Sequence, residues 1–251
     1  MRIGIMGAMP EETAAVGASL GGVVTETWGG RDYTVGTLCG HDAVCVHSRI
    51  GKVAAAITAT ELIVRHRVDR LVFTGLAGAL SPSLQVGDVV VAEGLVQYDM
   101  DASPLFPPLE VPLTGVTRFA TTPEITTALA GAAESLLREL AMEIRVPETG
   151  GSSTGSRPAR VVRGDIATGD RFVSCGDARA AVSGLVPRAV CVEMEGAAVA
   201  QVCHDYGVPF GVMRVVSDHA DGSAQSDFLA ALTGAAAALS AGVVGRVLGA
   251  W

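Results

Sequence analysis

Arg2-Ile3-Gly4-Ile5-Met6-Gly7-Ala8-Met9-Pro10-Glu11-Glu12 holds a strand, a turn and the start of a helix in one short stretch. Ile3 to Met6 is an apolar run of strand length. Gly7 to Pro10 is the turn, and proline suits the first helical position because the N–H it lacks there has no partner anyway. Glu11 and Glu12 follow in the first helical turn, where acids are favoured.

The same alternation continues outward. Residues 31–38 and 42–48 read as paired strands turning at Cys39-Gly40-His41. Val53 to Val64 reads as an Ala-rich helix, and Arg70 to Thr74 as a strand that ends in Gly75-Leu76-Ala77-Gly78-Ala79. Residues 87–92 form a further strand. Thr122 to Glu139 reads as a helix with Thr122 as its cap and Pro123 in its first turn. Strands over residues 160–168, 189–193 and 209–216, a helix over 196–205 and a closing helix over 227–248 complete the reading. Residues 101–120, rich in Pro, Leu and Phe, read as an ordered surface loop. Residues 147–158, rich in Gly, Ser and Thr, read as a mobile excursion. Continuous apolar strands separated by helices predict α/β architecture. The expectation is one domain over residues 1–251, a three-layer α/β/α sandwich around a mixed, largely parallel sheet.

Composition narrows the function. The formal net charge is −8, which argues against nucleic acid or an anionic membrane surface as partner. The five cysteines (39, 45, 175, 191 and 203) show no metal spacing and no even pairing, so free thiols in a reducing compartment are expected. Met1 to Met6 lacks the long apolar core of a signal peptide, and no apolar run is long enough to span a bilayer. A cytoplasmic location is the expectation. No metal or other cofactor is implied.

In open α/β sheets, ligands bind at the carboxyl ends of strands. Here those ends carry carboxylates: Glu12, Glu193 with Glu195, and Asp218. A carboxylate beside apolar strands is costly unless it has a partner or a task. Glycosidic cleavage needs such a set, with one acid to protonate the leaving group and one base for the attacking water.

Several motifs, taken in order, carry a resemblance. They are Ile3 to Met9 with Glu12, Ile50-Gly51-Lys52-Val53, Thr74-Gly75-x-Ala77-Gly78, Val86-Gly87-Asp88-Val89, Val192-Glu193-Met194-Glu195 and Arg214-Val215-Val216-Ser217-Asp218. Across residues 1–100 and 164–230 the chain resembles the 5′-methylthioadenosine/S-adenosylhomocysteine nucleosidases of the purine nucleoside phosphorylase superfamily. That resemblance implies Glu12 as the group acting on water, with Arg214 near it. It implies Asp218 as the acid at the purine, Ser217 beside it, and Glu195 on the ribose hydroxyls with Met194 packed on the sugar. Glu193 is a weaker ribose candidate, since one of the two glutamates could pair with a basic residue. Phe172 and the Val173 backbone would meet the base, Met9, Ile50 and Phe228 would line the 5′-pocket, and Ala77 and Gly78 would line the cleft. A small nucleoside is the implied ligand and a homodimer the implied assembly.

Leu76 and Arg49 stand where the family often has small residues. Arg49 alone favours a phosphate-dependent phosphorylase, because the first loop offers Glu11 and Glu12, which repel phosphate. The same motifs leave open a futalosine-type hydrolase and a non-catalytic nucleoside-binding module. No G-x-S-x-G elbow supports a triad on His219, no P-loop surrounds Lys52, and Gly4-x-x-Gly7 is not a dinucleotide fingerprint.

Overall fold

The computed structural model describes residues 1–147, 154–232 and 235–251. In chain order the strands are β1 (Arg2–Gly7), β2 (Gly21–Trp28), β3 (Arg31–Leu38), β4 (His41–His47), β5 (Arg70–Phe73), β6 (Leu76–Ala79), β7 (Val89–Gln97), β8 (Phe119–Ala120), β9 (Glu143–Pro147), β10 (Thr154–Pro158), β11 (Val161–Thr168), β12 (Ala189–Glu193) and β13 (Phe210–Asp218). The helices are α1 (Pro10–Ala18), α2 (Lys52–Val64), α3 (Pro123–Glu139), α4 (Gly176–Leu185), α5 (Gly196–Tyr206), α6 (Ala224–Leu232) and α7 (Ala235–Gly249).

One sheet runs β2-β3-β4-β1-β5-β13-β6-β12-β11-β7-β8, and β13 also pairs with β7. That extra pairing closes β13, β6, β12, β11 and β7 into a small ring. β4, β1, β5, β13 and β6 are parallel in succession, and so are β12, β11 and β7. The β12–β6 and β13–β7 seams are antiparallel, as are the hairpins at the β2 edge. The two larger of the apolar clusters flank the sheet. One packs Ala55, Ala59 and Leu62 of α2 with Ala197 to Ala200 of α5. The other packs Val16 of α1, Leu129 and Ala133 of α3, and Val243 and Val247 of α7. The alanines of α2 and α5 let these helices lie close on the sheet.

Several elements differ from the sequence reading. Leu76–Ala79 is a strand rather than a strand end, because it pairs in parallel with β13 and antiparallel with β12. β2 and α4 are elements that the periodicity does not reveal; every residue of β2 is exposed, so no apolar face marks it. The closing helix is two helices bent by 54°. Thr122 sits at the cap position of α3 without a side-chain cap; its Oγ1 accepts the Phe210 N–H instead at 3.0 Å. Within 101–120, Val111 bridges to Val116 and β8 pairs with β7. Of the expected excursion at 147–158, residues 148–153 lie outside the described residues, and residues 154–158 form β10 on β9. Arg157 of β10 forks onto the fully buried Asp88, with Nη1 at 2.8 Å and Nη2 at 2.5 Å. This pairing keeps a buried carboxylate compensated. Among the described residues no single helix is long and apolar enough to cross a membrane.

Candidate active site

A cavity of about 420 Å³ opens where β1, β6, β12 and β13 end. The structure brings Met9, Glu12, Ile50, Ala77, Gly78, Phe172, Val173, Glu193, Met194, Glu195, Ser217, Asp218 and Phe228 to its wall. Arg214 is the exception. It is 1% exposed and does not line the cavity. Its Nη2 donates to Glu193 Oε2 at 2.7 Å and its Nη1 to Met213 O at 3.0 Å. The physical reason is burial: a guanidinium inside a sheet needs a carboxylate partner, and Glu193 supplies it.

Among the described residues, Glu12 is held by backbone amides. Its Oε2 accepts the N–H groups of Ala8 at 2.6 Å and Met9 at 3.0 Å, and its Oε1 accepts Leu76 N–H at 3.0 Å. The approach to β6 requires glycine at 75, since a Cβ there would lie 2.8 Å from Glu12 Oε1. Burial raises the Glu12 carboxyl above the usual range, against the lowering field of Arg214 and the three amides.

Asp218 ends β13, just past an irregularity in its register with β6. Bulges of this kind redirect side chains beside functional sites. Asp218 Oδ2 accepts the Ser217 hydroxyl at 2.6 Å and Oδ1 accepts Ala220 N–H at 2.8 Å. Gly78 makes room, because a Cβ there would stand 2.8 Å from Oδ1. Burial pushes this carboxyl upward, opposed by the Ser217 and Ala220 hydrogen bonds.

The two glutamates at the end of β12 have separate lives. Glu193 accepts the Thr168 hydroxyl, Glu195 N–H at 3.1 Å and Gly196 N–H at 2.8 Å, besides Arg214. Its oxygens are therefore occupied by the protein. Glu195 accepts only Gly51 N–H, at 2.8 Å, among the bonds described. Burial, and then the charge of Glu193, push its carboxyl up to about 8. Phe172 and Phe228 meet edge to face at 5.9 Å. With Ile50 at 53% exposure they form an open, apolar mouth.

A match to the Phosphorylase superfamily model extends over residues 2–248. The chain is 37% identical over 219 residues to the 5′-methylthioadenosine/S-adenosylhomocysteine nucleosidase of Bacillus thuringiensis (strain Al Hakam), covering 87% of this chain and 86% of that one. It is 34% identical over 229 residues to the Shewanella baltica enzyme of the same name, covering 91% and 88%. The chain belongs to the 5′-methylthioadenosine/S-adenosylhomocysteine nucleosidase family. The Neisseria meningitidis nucleosidase, solved in complex with methylthio-immucillin-A, superimposes with a TM-score of 0.87 at 31% identity over 100% of this chain and 99% of that one. The futalosine hydrolase of Helicobacter pylori superimposes with a TM-score of 0.84 at 30% identity, covering 100% and 98%.

Within this family member the two unusual residues are accounted for by geometry. Leu76 contributes its main-chain N–H to Glu12, a group any side chain leaves in place. Arg49 is exposed and turns away, donating Nη2 to Gly30 O at 2.5 Å. It does not line the cavity. Sequence reading misses Ala8, Leu76, Arg171, Val192, Gln225 and Leu229 at the cavity wall. Gln225 and Leu229 share one face of α6 with Phe228 by helical spacing, which is the available signal. The amides of Ala8 and Leu76 leave no trace in side-chain identity.

Proposed function

We propose that the protein hydrolyses the N-glycosidic bond of a 5′-modified adenine nucleoside, releasing adenine and the free 5′-modified ribose. The substrates are 5′-methylthioadenosine, S-adenosylhomocysteine or 5′-deoxyadenosine. The observation that carries this reading is the placement of Glu12, Glu195 and Asp218, from three separate strand ends, on one mainly apolar cavity. Asp218, kept protonated to higher pH by burial, donates to the purine as the bond breaks. Glu12, fixed by three amides, orients the water and takes its proton. Arg214 acts on Glu12 through its field and holds Glu193. Glu195 takes the ribose hydroxyls with Met194 against the sugar, and Phe172 and Val173 meet the base. Met9, Ile50 and Phe228 receive the 5′-group. An apolar wall with a few convergent polar groups suits such a ligand.

Hydrolysis is favoured over phosphorolysis because the first loop presents Glu12, and Arg49 is engaged with Gly30 O. Incubation with a nucleoside panel in phosphate-free buffer is expected to yield adenine and a free sugar. A strict need for phosphate, with a sugar 1-phosphate as product, overturns this reading. Cleavage of futalosine in preference to the adenine nucleosides selects the second reading, which the Helicobacter pylori neighbour motivates.

The active form we propose is a cytoplasmic homodimer joined through Leu105 to Pro112. Leu105 is 84% exposed and nearby Leu113 is 90% exposed. On α2, whose first residue is ion-paired to Asp99 just before this segment, Val53 and Ile57 are exposed as well. Apolar surface of this kind marks an interface. Sedimentation at assay concentration should give twice the chain mass, and a fully active monomer contradicts the assignment.

A further inference from the structure

The Ile50-Gly51-Lys52 corner between β4 and α2 is fastened more firmly than a surface turn requires. Gly51 N–H donates to Glu195 Oε1 at 2.8 Å. The next amide, Lys52 N–H, donates to Asp170 Oδ1 at 2.8 Å. Lys52 Nζ lies 2.6 Å from Asp99 Oδ1, and Asp99 Oδ2 accepts Asp170 N–H at 2.9 Å. The three residues thus close a ring that joins the start of α2 to the segments just past β7 and β11. Gly51 itself has a φ of +99°, and a Cβ there would stand 3.1 Å from Asp170 Oδ1. Glycine lets the corner adopt this conformation, and the ring fixes where its amide points.

We propose that Lys52, Asp99 and Asp170 are positioning residues for the sugar. They hold the Gly51 amide on Glu195 and so set the orientation in which that carboxylate meets the ribose hydroxyls. The inference rests on the reading of Glu195 as the ribose ligand. A purely structural ion pair with Lys52 16% and Asp99 31% exposed would instead shift thermal stability slightly and act alike on every substrate.

The test uses the full chain. Lys52→Met and Asp170→Ala are assayed on 5′-methylthioadenosine and on its 2′,3′-dideoxy counterpart, in the native and the Glu195→Ala backgrounds. Loss of alignment should lower kcat/KM for the ribonucleoside by between about 10- and 100-fold. The dideoxy substrate should be nearly unaffected, Lys52→Arg should regain most of the loss, and nothing further should be lost when Glu195 is already Ala. Equal losses on both substrates, or losses that add to that of Glu195→Ala, overturn the proposal. Lys52→Met decides the matter if Asp170→Ala does not fold. A native enzyme that cleaves both substrates equally well removes Glu195 as the sugar ligand, and the proposal with it; one that cleaves neither removes the nucleosidase reading itself.

Discussion

Asp218→Asn is expected to lower kcat by about 10²- to 10⁴-fold, the usual range for a general acid, while the fold survives. Asn keeps the size of Asp218 and an oxygen for Ala220 N–H, now 2.8 Å from Oδ1, and its amide group can still meet the Ser217 hydroxyl. What it lacks is a transferable proton. Because burial raises the Asp218 carboxyl above its ordinary value, the native enzyme should keep the acid form to higher pH than a free aspartic acid. Turnover should therefore decline as pH rises through that raised value, and this limb should vanish in the Asn variant. A nucleoside whose base leaves without protonation should lose far less. Steady-state rates against pH, with the melting temperature as control, check all of this. Near-normal turnover on an unactivated adenine nucleoside would show that another group protonates the base.

Glu12→Gln should separate binding from chemistry. Glutamine preserves the length of the side chain and an oxygen for the Ala8 and Met9 amides, while its NH2 group then faces the Leu76 N–H, and it cannot take a proton from water. Substrate is expected to bind with little change while kcat falls by about 10²-fold or more, the pattern of an interaction made only in the transition state. The ordinary explanation makes Glu12 a helix-start acid worth about 0.3–1 kcal/mol. Gln would then lower the melting temperature slightly and leave turnover intact. Since both oxygens of Glu12 already accept backbone N–H groups, that explanation has a structural basis, and measuring Kd, kcat and Tm on one preparation separates the two. A stable, active variant would withdraw the role on water.

Much of this arrangement is legible because strand ends announce themselves. The runs 3–6, 70–74 and 189–193 stop at glycines or acids, and the candidate site side chains, Arg214 apart, line one cavity. Arg214 escapes the sequence because residue type and spacing do not say which carboxylate a buried guanidinium will choose. Glu12 and Glu193 are both candidates, and the β12 side wins. β2 is hidden because its exposed strand has no apolar face to set a period. β6 is hidden because Leu-Ala-Gly-Ala carries too little strand preference alone, and its pairing with β13 and β12 is set by the whole sheet. The bend between α6 and α7 interrupts what reads as one apolar helix.

The acids of this cavity are gripped mainly by peptide amides: Glu12 by those of Ala8, Met9 and Leu76, Asp218 by that of Ala220, and Glu195 by that of Gly51. An amide survives almost every codon change. Ala8 and Leu76 can therefore drift among residues of similar bulk over long descent without releasing the groups they hold. The restraint falls on Gly51, Gly75 and Gly78, where an added carbon would crowd a carboxylate oxygen. A lineage bearing this scaffold should keep Gly51, Gly75 and Gly78 as strictly as the acids themselves, and vary more freely at Ala8 and Leu76, whose backbones alone touch the acids.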